Sequence, residues 1–158
     1  MKLSLKINGA AREFSVGAET TLLDLLREHC ALTGAKRACD RGECGACTVL
    51  LDQKPVYACI LPALYCEGRS VITIEGIAPP GKLHPVQRAF IESDALQCGY
   101  CTPGQILSAV ALLQRHRRPS LEQISEAMSG NLCRCGAYPK ILRAIRRLGS
   151  RQRRRRGA

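Results

Sequence analysis

Eight of the ten cysteines fall into two sets of four with unequal spacings, and this pattern constrains the chain more than any other feature. The first set is Cys39-x4-Cys44-x2-Cys47, with Cys59 after a gap of eleven residues. The second is Cys98-x2-Cys101 and Cys133-x-Cys135, separated by 31 residues. Paired thiols serve as disulfides, zinc ligands or iron–sulfur ligands. The first residues, MKLSLKINGA, are polar and alternating rather than charged-then-apolar, so no secretory leader is read there. That predicts a cytoplasmic, reducing setting in which thiols bind metal rather than pair as disulfides. No stretch reaches the roughly 18 apolar residues of a membrane helix. A metal staple also suits the core, since four Tyr, two Phe and no Trp leave few large side chains to bury.

The opening spacing of the first set is that of plant-type [2Fe-2S] ferredoxins. Three thiolates must converge from one loop, and Gly42 and Gly45 permit the tight backbone that this requires. Such a loop also leaves N–H groups free to face anionic sulfur. Zinc sites favour two C-x2–4-C knuckles, a poorer match to this three-plus-one arrangement. The second set is less specific by itself, and a zinc knuckle or a redox dithiol fits its spacing as well. Each of its pairs sits before a predicted helix, where the positive end of the dipole favours a bound anion.

The surrounding sequence divides in two. Lys2–Ile7 alternates as a strand, Asn8-Gly9 makes a hairpin turn and residues 11–16 return. Residues 20–30 carry Leu22, Leu23, Leu25 and Leu26 at helical spacing, with Thr21 and Asp24 at capping positions. Strands are predicted at 48–51, 55–60 and 71–74. Residues 77–81, Ile-Ala-Pro-Pro-Gly, form a turn-rich break. Beyond it, 84–95, 103–116, 121–129 and 139–148 read as helices, with Ser120 and Gln123 as a capping box. The net charge of +11 is concentrated at the end: residues 143–158 hold eight Arg and no acid, leaving +3 for the remainder. The body is therefore no nucleic-acid-reading patch, and the tail reads as a solvated end or an arm for an acidic partner.

The segments CDRGECGACTVLLD, QCGYCTPGQILSA and SGNLCRCGAYPKI resemble the signatures of the small iron–sulfur subunit of the xanthine dehydrogenase/aldehyde oxidase family, the molybdenum hydroxylases. The resemblance runs from about Lys2 to Leu148. It implies an α+β fold: an N-terminal β-grasp ferredoxin-like domain at 1–76, a linker at 77–81 and an all-α four-helix-bundle [2Fe-2S] domain at 82–149. Residues 150–158 lie beyond the resemblance and read, from composition, as an Arg-rich, disordered tail. One [2Fe-2S] cluster is implied on Cys39, Cys44, Cys47 and Cys59, and a second on Cys98, Cys101, Cys133 and Cys135. Gln97 and Cys135 match the family positions that contact a molybdopterin held by a large partner subunit. The family role is electron transfer from that molybdopterin to an FAD subunit or another acceptor, during oxidation of an aldehyde, purine, N-heterocycle or CO. No catalytic residue is expected in this chain.

Other residues carry plainer readings. Cys30, ending a helix, and Cys66, following a strand, are expected to pack rather than ligate. His84 is expected as a polar helix cap or a surface residue, Tyr100 as a shield for the second site, and Arg134 as a group that offsets cluster charge or touches cofactor phosphate. Rival functions are a colourless zinc-stabilised nucleic-acid-binding module and a free-standing ferredoxin; the second cysteine set argues against a single-cluster mobile carrier.

Overall fold

A computed structural model describes the backbone of residues 1–154 and the side chains of residues 1–149. The tail expected over 150–158 therefore lies outside the residues described in full. β1 (Lys2–Ile7) and β2 (Ala10–Ser15) pair antiparallel around Asn8 and Gly9, both at positive φ, as a two-residue hairpin turn requires. β3 (Thr48–Leu51) and β4 (Lys54–Tyr57) repeat the device around Asp52 and Gln53. β5 (Ser70–Ile72) runs parallel to β1 and antiparallel to β3, giving a five-stranded sheet in the order β2-β1-β5-β3-β4.

α1 (Leu22–Asp24) begins with a full capping box: Thr21 Oγ1 accepts from the Asp24 N–H at 3.1 Å, and Asp24 accepts from the Thr21 N–H at 3.1 Å. The helix predicted over 20–30 does not stay regular. It widens into a π turn at Leu25–His29, which lets Leu22, Leu23, Leu25 and Leu26 all be fully buried against the sheet. Burying each leucine contributes roughly 1.5–3 kcal/mol. Cys66 ends a 3-10 turn (Ala63–Cys66) before β5, rather than following a strand. It is fully buried in the same core, as its packing role requires.

Four helices follow: α2 (Pro85–Glu92), α3 (Thr102–Arg115), α4 (Leu121–Met128) and α5 (Tyr138–Arg154). His84 caps α2, its Nδ1 accepting the Val86 N–H at 3.2 Å. Ser120 caps α4 in a capping box with Gln123. α3 is buried from Gly104 to Leu112 and packs against α2, α4 and β3. β3 is buried along its whole length, and alternation sends its side chains to two cores. Val49 and Leu51 join the core over α1, whereas Leu50 joins the helical core. The sheet is thus shared by both halves of the chain, which places the first cysteine loop against the helices. Among the described residues no helix is long and apolar enough to cross a membrane.

Candidate metal centres

The first cysteine loop lies between α1 and β3, and its approach is fixed by charge. The Arg37 guanidinium is paired with Asp24 on α1 and with both carboxylate oxygens of Asp40, at 2.9 and 2.7 Å. Asp40, Gly42 and Gly45 then take left-handed backbone conformations, which coil the chain around a centre. Gly45 has a second constraint: a Cβ there would stand 2.3 Å from the Gly130 carbonyl oxygen. The N–H groups of Glu43 and Cys44 both point at Cys39 Sγ, at 3.4 Å.

The loop holds unlike thiols. N–H groups of Arg41, Glu43 and Cys44 pull the Cys39 thiol down to about 6, whereas burial pushes Cys47 up to about 12. Cys47 and Cys59 are buried and in contact; Cys39 and Cys44 form the outer pair.

The second site uses two loops. Cys98 and Cys101 precede α3, which starts at Thr102; Cys133 and Cys135 precede α5. Gly99 and Gly136 bend these loops at positive φ. Cys98 and Cys135 are exposed, with their Sγ atoms 3.6 Å apart. Cys101 and Cys133 form the inner pair. Burial raises Cys101 to about 11. Burial also works to raise Cys133, but the Ala137 N–H, the Cys101 thiol and the N–H groups of Cys135 and Gly136 outweigh it and lower the thiol. The Ala137 N–H reaches Cys133 Sγ at 3.4 Å, just before α5 begins.

All eight predicted thiols are therefore gathered into four pairs, two pairs to a site. Among the described residues no three His, Cys, Asp or Glu side chains converge as they would around a single ion. A tetrahedral metal with metal–sulfur bonds of about 2.3 Å holds two thiolates about 3.8 Å apart. The 3.6 Å pair of Cys98 and Cys135 matches that spacing. Four thiols arranged two and two fit a two-iron cluster, whose ligand set is four cysteines. Cys30 is half-buried, packs against the core of the sheet and stands outside both sets.

Gln97 Nε2 donates to the Cys135 carbonyl at 2.8 Å, so the two residues singled out for pterin contact touch one another at the exposed edge of the second site. Arg134 is exposed on the same loop. Tyr100 is half-exposed, and its phenol donates to the Arg37 carbonyl at 2.6 Å. It bridges the two sites as well as flanking one.

The sequence reasoning missed the seam between the sites. Leu132 N–H donates to the Cys44 carbonyl at 2.9 Å. Asn131 Nδ2 donates to Gly45 O at 2.9 Å, and the Tyr57 phenol donates to Gly130 O at 2.8 Å. The one available signal was Asn131 itself, a polar residue inside SGNLCRC with no cap or ligand role to explain it.

Two family models match the chain. A "2Fe-2S iron-sulfur cluster binding domain" covers residues 5–69, and a "[2Fe-2S] binding domain" covers residues 73–146. The aldehyde oxidoreductase iron-sulfur-binding subunit PaoA of Escherichia coli (strain K12) is 46% identical over 92% of this chain and 70% of that protein. The nicotinate dehydrogenase small FeS subunit of Eubacterium barkeri is 49% identical over 91% of this chain and 92% of its own length. Among solved structures, a chain of quinoline 2-oxidoreductase from Pseudomonas putida 86 superposes with a TM-score of 0.92 at 42% identity. That match covers 99% of this chain and 97% of the other.

Proposed function

The chain belongs to the small [2Fe-2S] iron–sulfur subunits of the molybdenum hydroxylases, and from that premise we propose that it carries electrons from a molybdopterin site in a large partner subunit to an FAD subunit or another acceptor. The observation that carries the reading is the gathering of eight thiols into two sites of two pairs each. Cys39, Cys44, Cys47 and Cys59 would hold one [2Fe-2S] cluster, within a ferredoxin-like domain at 1–76. Cys98, Cys101, Cys133 and Cys135 would hold the other, within a four-helix bundle at 82–149 reached through the 77–81 linker. Bound there, the clusters supply reversible one-electron redox chemistry.

The chain's own residues tune and orient the sites. N–H groups of Glu43 and Cys44 at the first site, and of Ala137 at the second, donate to thiolate sulfur and so stabilise negative charge in a partly buried setting. Cys47, Cys59 and Cys133 form the buried side of the sites, which limits water access. Cys98 and Cys135 form the open side of the second site, beside Gln97. We assign that face to the large subunit: the hydrogen bond to Cys135 fixes the Gln97 carboxamide and leaves its Oε1 to accept from the pterin. The relatives' names span aldehyde, nicotinate and quinoline, so substrate choice lies outside this chain.

Purification of the chain from its native host through a C-terminal tag tests the assignment. The expected result is a large co-purifying polypeptide with about one molybdenum per four iron. A chain that elutes alone with its iron retained contradicts the assignment and favours a mobile carrier.

A further inference from the structure

We propose that Asn131 is the positioning residue that fixes the separation of the two clusters, and with it the ease of electron passage between them; the proposal rests on the two-cluster reading above. Asn131 is only 3% exposed and lies two residues before Cys133. Its Nδ2 donates to Gly45 O at 2.9 Å and to Thr48 Oγ1 at 3.1 Å, both in the segment that carries Cys44 and Cys47. Its Oδ1 accepts from Ser108 Oγ at 2.6 Å, and its carbonyl accepts from Gln105 Nε2 at 3.0 Å, both on α3. One buried side chain thus clamps the first cysteine loop to the helix that begins beside Cys101. Both polar ends of the Asn131 carboxamide are satisfied by these partners, and a buried, satisfied group of this kind is held rigidly, as a fixed separation needs.

The clamp holds a short route in register. From Cys44 the backbone carbonyl accepts the Leu132 N–H at 2.9 Å, and Leu132 is bonded to Cys133. A single hydrogen bond therefore joins a thiol of one site to a thiol of the other through otherwise covalent connections. Electron tunnelling falls steeply with separation and with every through-space gap. The transfer is one electron from a reduced to an oxidised cluster, with no bond made or broken. The approach is also close: a Cβ at Gly104 on α3 would stand 2.3 Å from Gly45 O. Gly104 has an ordinary helical φ, so an alanine suits the helix and acts only as a wedge between α3 and the first loop.

The test compares the full chain with its Asn131→Ala and Gly104→Ala variants, each purified with its clusters. Iron content is read together with EPR of half-reduced and fully reduced samples. In the fully reduced parent, the two spins are expected to split or relax one another's signals, and a parent with full iron but no such interaction overturns the proposal. Both variants are expected to retain about four iron and parental g values when half-reduced, yet to lose the parental splitting when fully reduced. Asn131→Ala with full iron and parental splitting overturns the proposal. If Asn131→Ala does not hold its iron, Gly104→Ala decides: altered splitting supports the clamp, and parental splitting overturns it. A parent lacking iron fails the two-cluster reading itself, and the proposal with it.

Discussion

The phenol of Tyr100 donates a 2.6 Å hydrogen bond to the carbonyl of Arg37, two residues before the first cysteine of the other site. A residue set between two thiols of the second site thereby braces the entry to the first loop. Tyr100→Phe removes that bond and little else. It is expected to cost about 0.5–1.5 kcal/mol, lowering Tm by about 1–6 °C, with iron content unchanged. A thermal melt that does not move, or loss of iron, would contradict the brace.

The same entry is held from below by Asp24, whose pairing with Arg37 links α1 to the loop. Burial works to raise the Asp24 carboxyl, but hydrogen bonds with Thr21 and Arg37 overcome it and hold the group below its usual 3.8. A depressed carboxyl stabilises the fold above its unfolded pKa, and that contribution is lost as pH falls through the folded value. Asp24→Asn is therefore expected to speed iron release to a chelator at neutral pH. The linkage itself is read on the metal-free fold: the Tm gap between parent and Asp24→Asn, both stripped of iron, should shrink as pH drops below 3.8. A gap unchanged there would show that the carboxylate charge does not hold the loop.

Gly45→Ala meets two obstacles, a φ of +69° and a Gly130 carbonyl 2.3 Å from the new Cβ. Left-handed backbone costs a residue with a Cβ roughly 1–2 kcal/mol, and that strain falls inside the ligand loop between Cys44 and Cys47, whereas a wedge at Gly104 pushes the loop from outside. The first site is expected to fail while the second survives, so iron falls from about four to about two per chain. Full iron in this variant would show that the loop can refit.

The cysteines divide by role, and single substitutions separate the roles. Cys39→Ser should abolish one EPR signal and Cys101→Ser the other. Cys30→Ser and Cys66→Ala should keep about four iron. Cys66→Ala should melt lower, because Cys66 is fully buried in the core over α1. Iron loss from Cys66→Ala without unfolding would make it a ligand and break the four-plus-four assignment.

Local chemistry was legible in the sequence, and long-range docking was not. Asn8-Gly9 announced its hairpin because few other residues accept positive φ, and Thr21 and Asp24 announced their cap because both partners lie within one turn. The eight thiols were legible because metal ligation imposes its own spacing. The π turn after Leu25 was not, since four leucines packing at once is a property of the core rather than of the segment. Asn131 and Gly45 are 86 residues apart, and neither carries a local sign of the other. The pairing of Gln97 with Cys135 likewise exists only once the two loops of the second site are side by side.

Whether the chain holds two [2Fe-2S] clusters is decided by iron and labile sulfide per chain, read with low-temperature EPR of the dithionite-reduced protein. About four iron and four sulfide, with two distinguishable [2Fe-2S] signals, are expected. A colourless protein that carries zinc and gives no signal after anaerobic purification would contradict it.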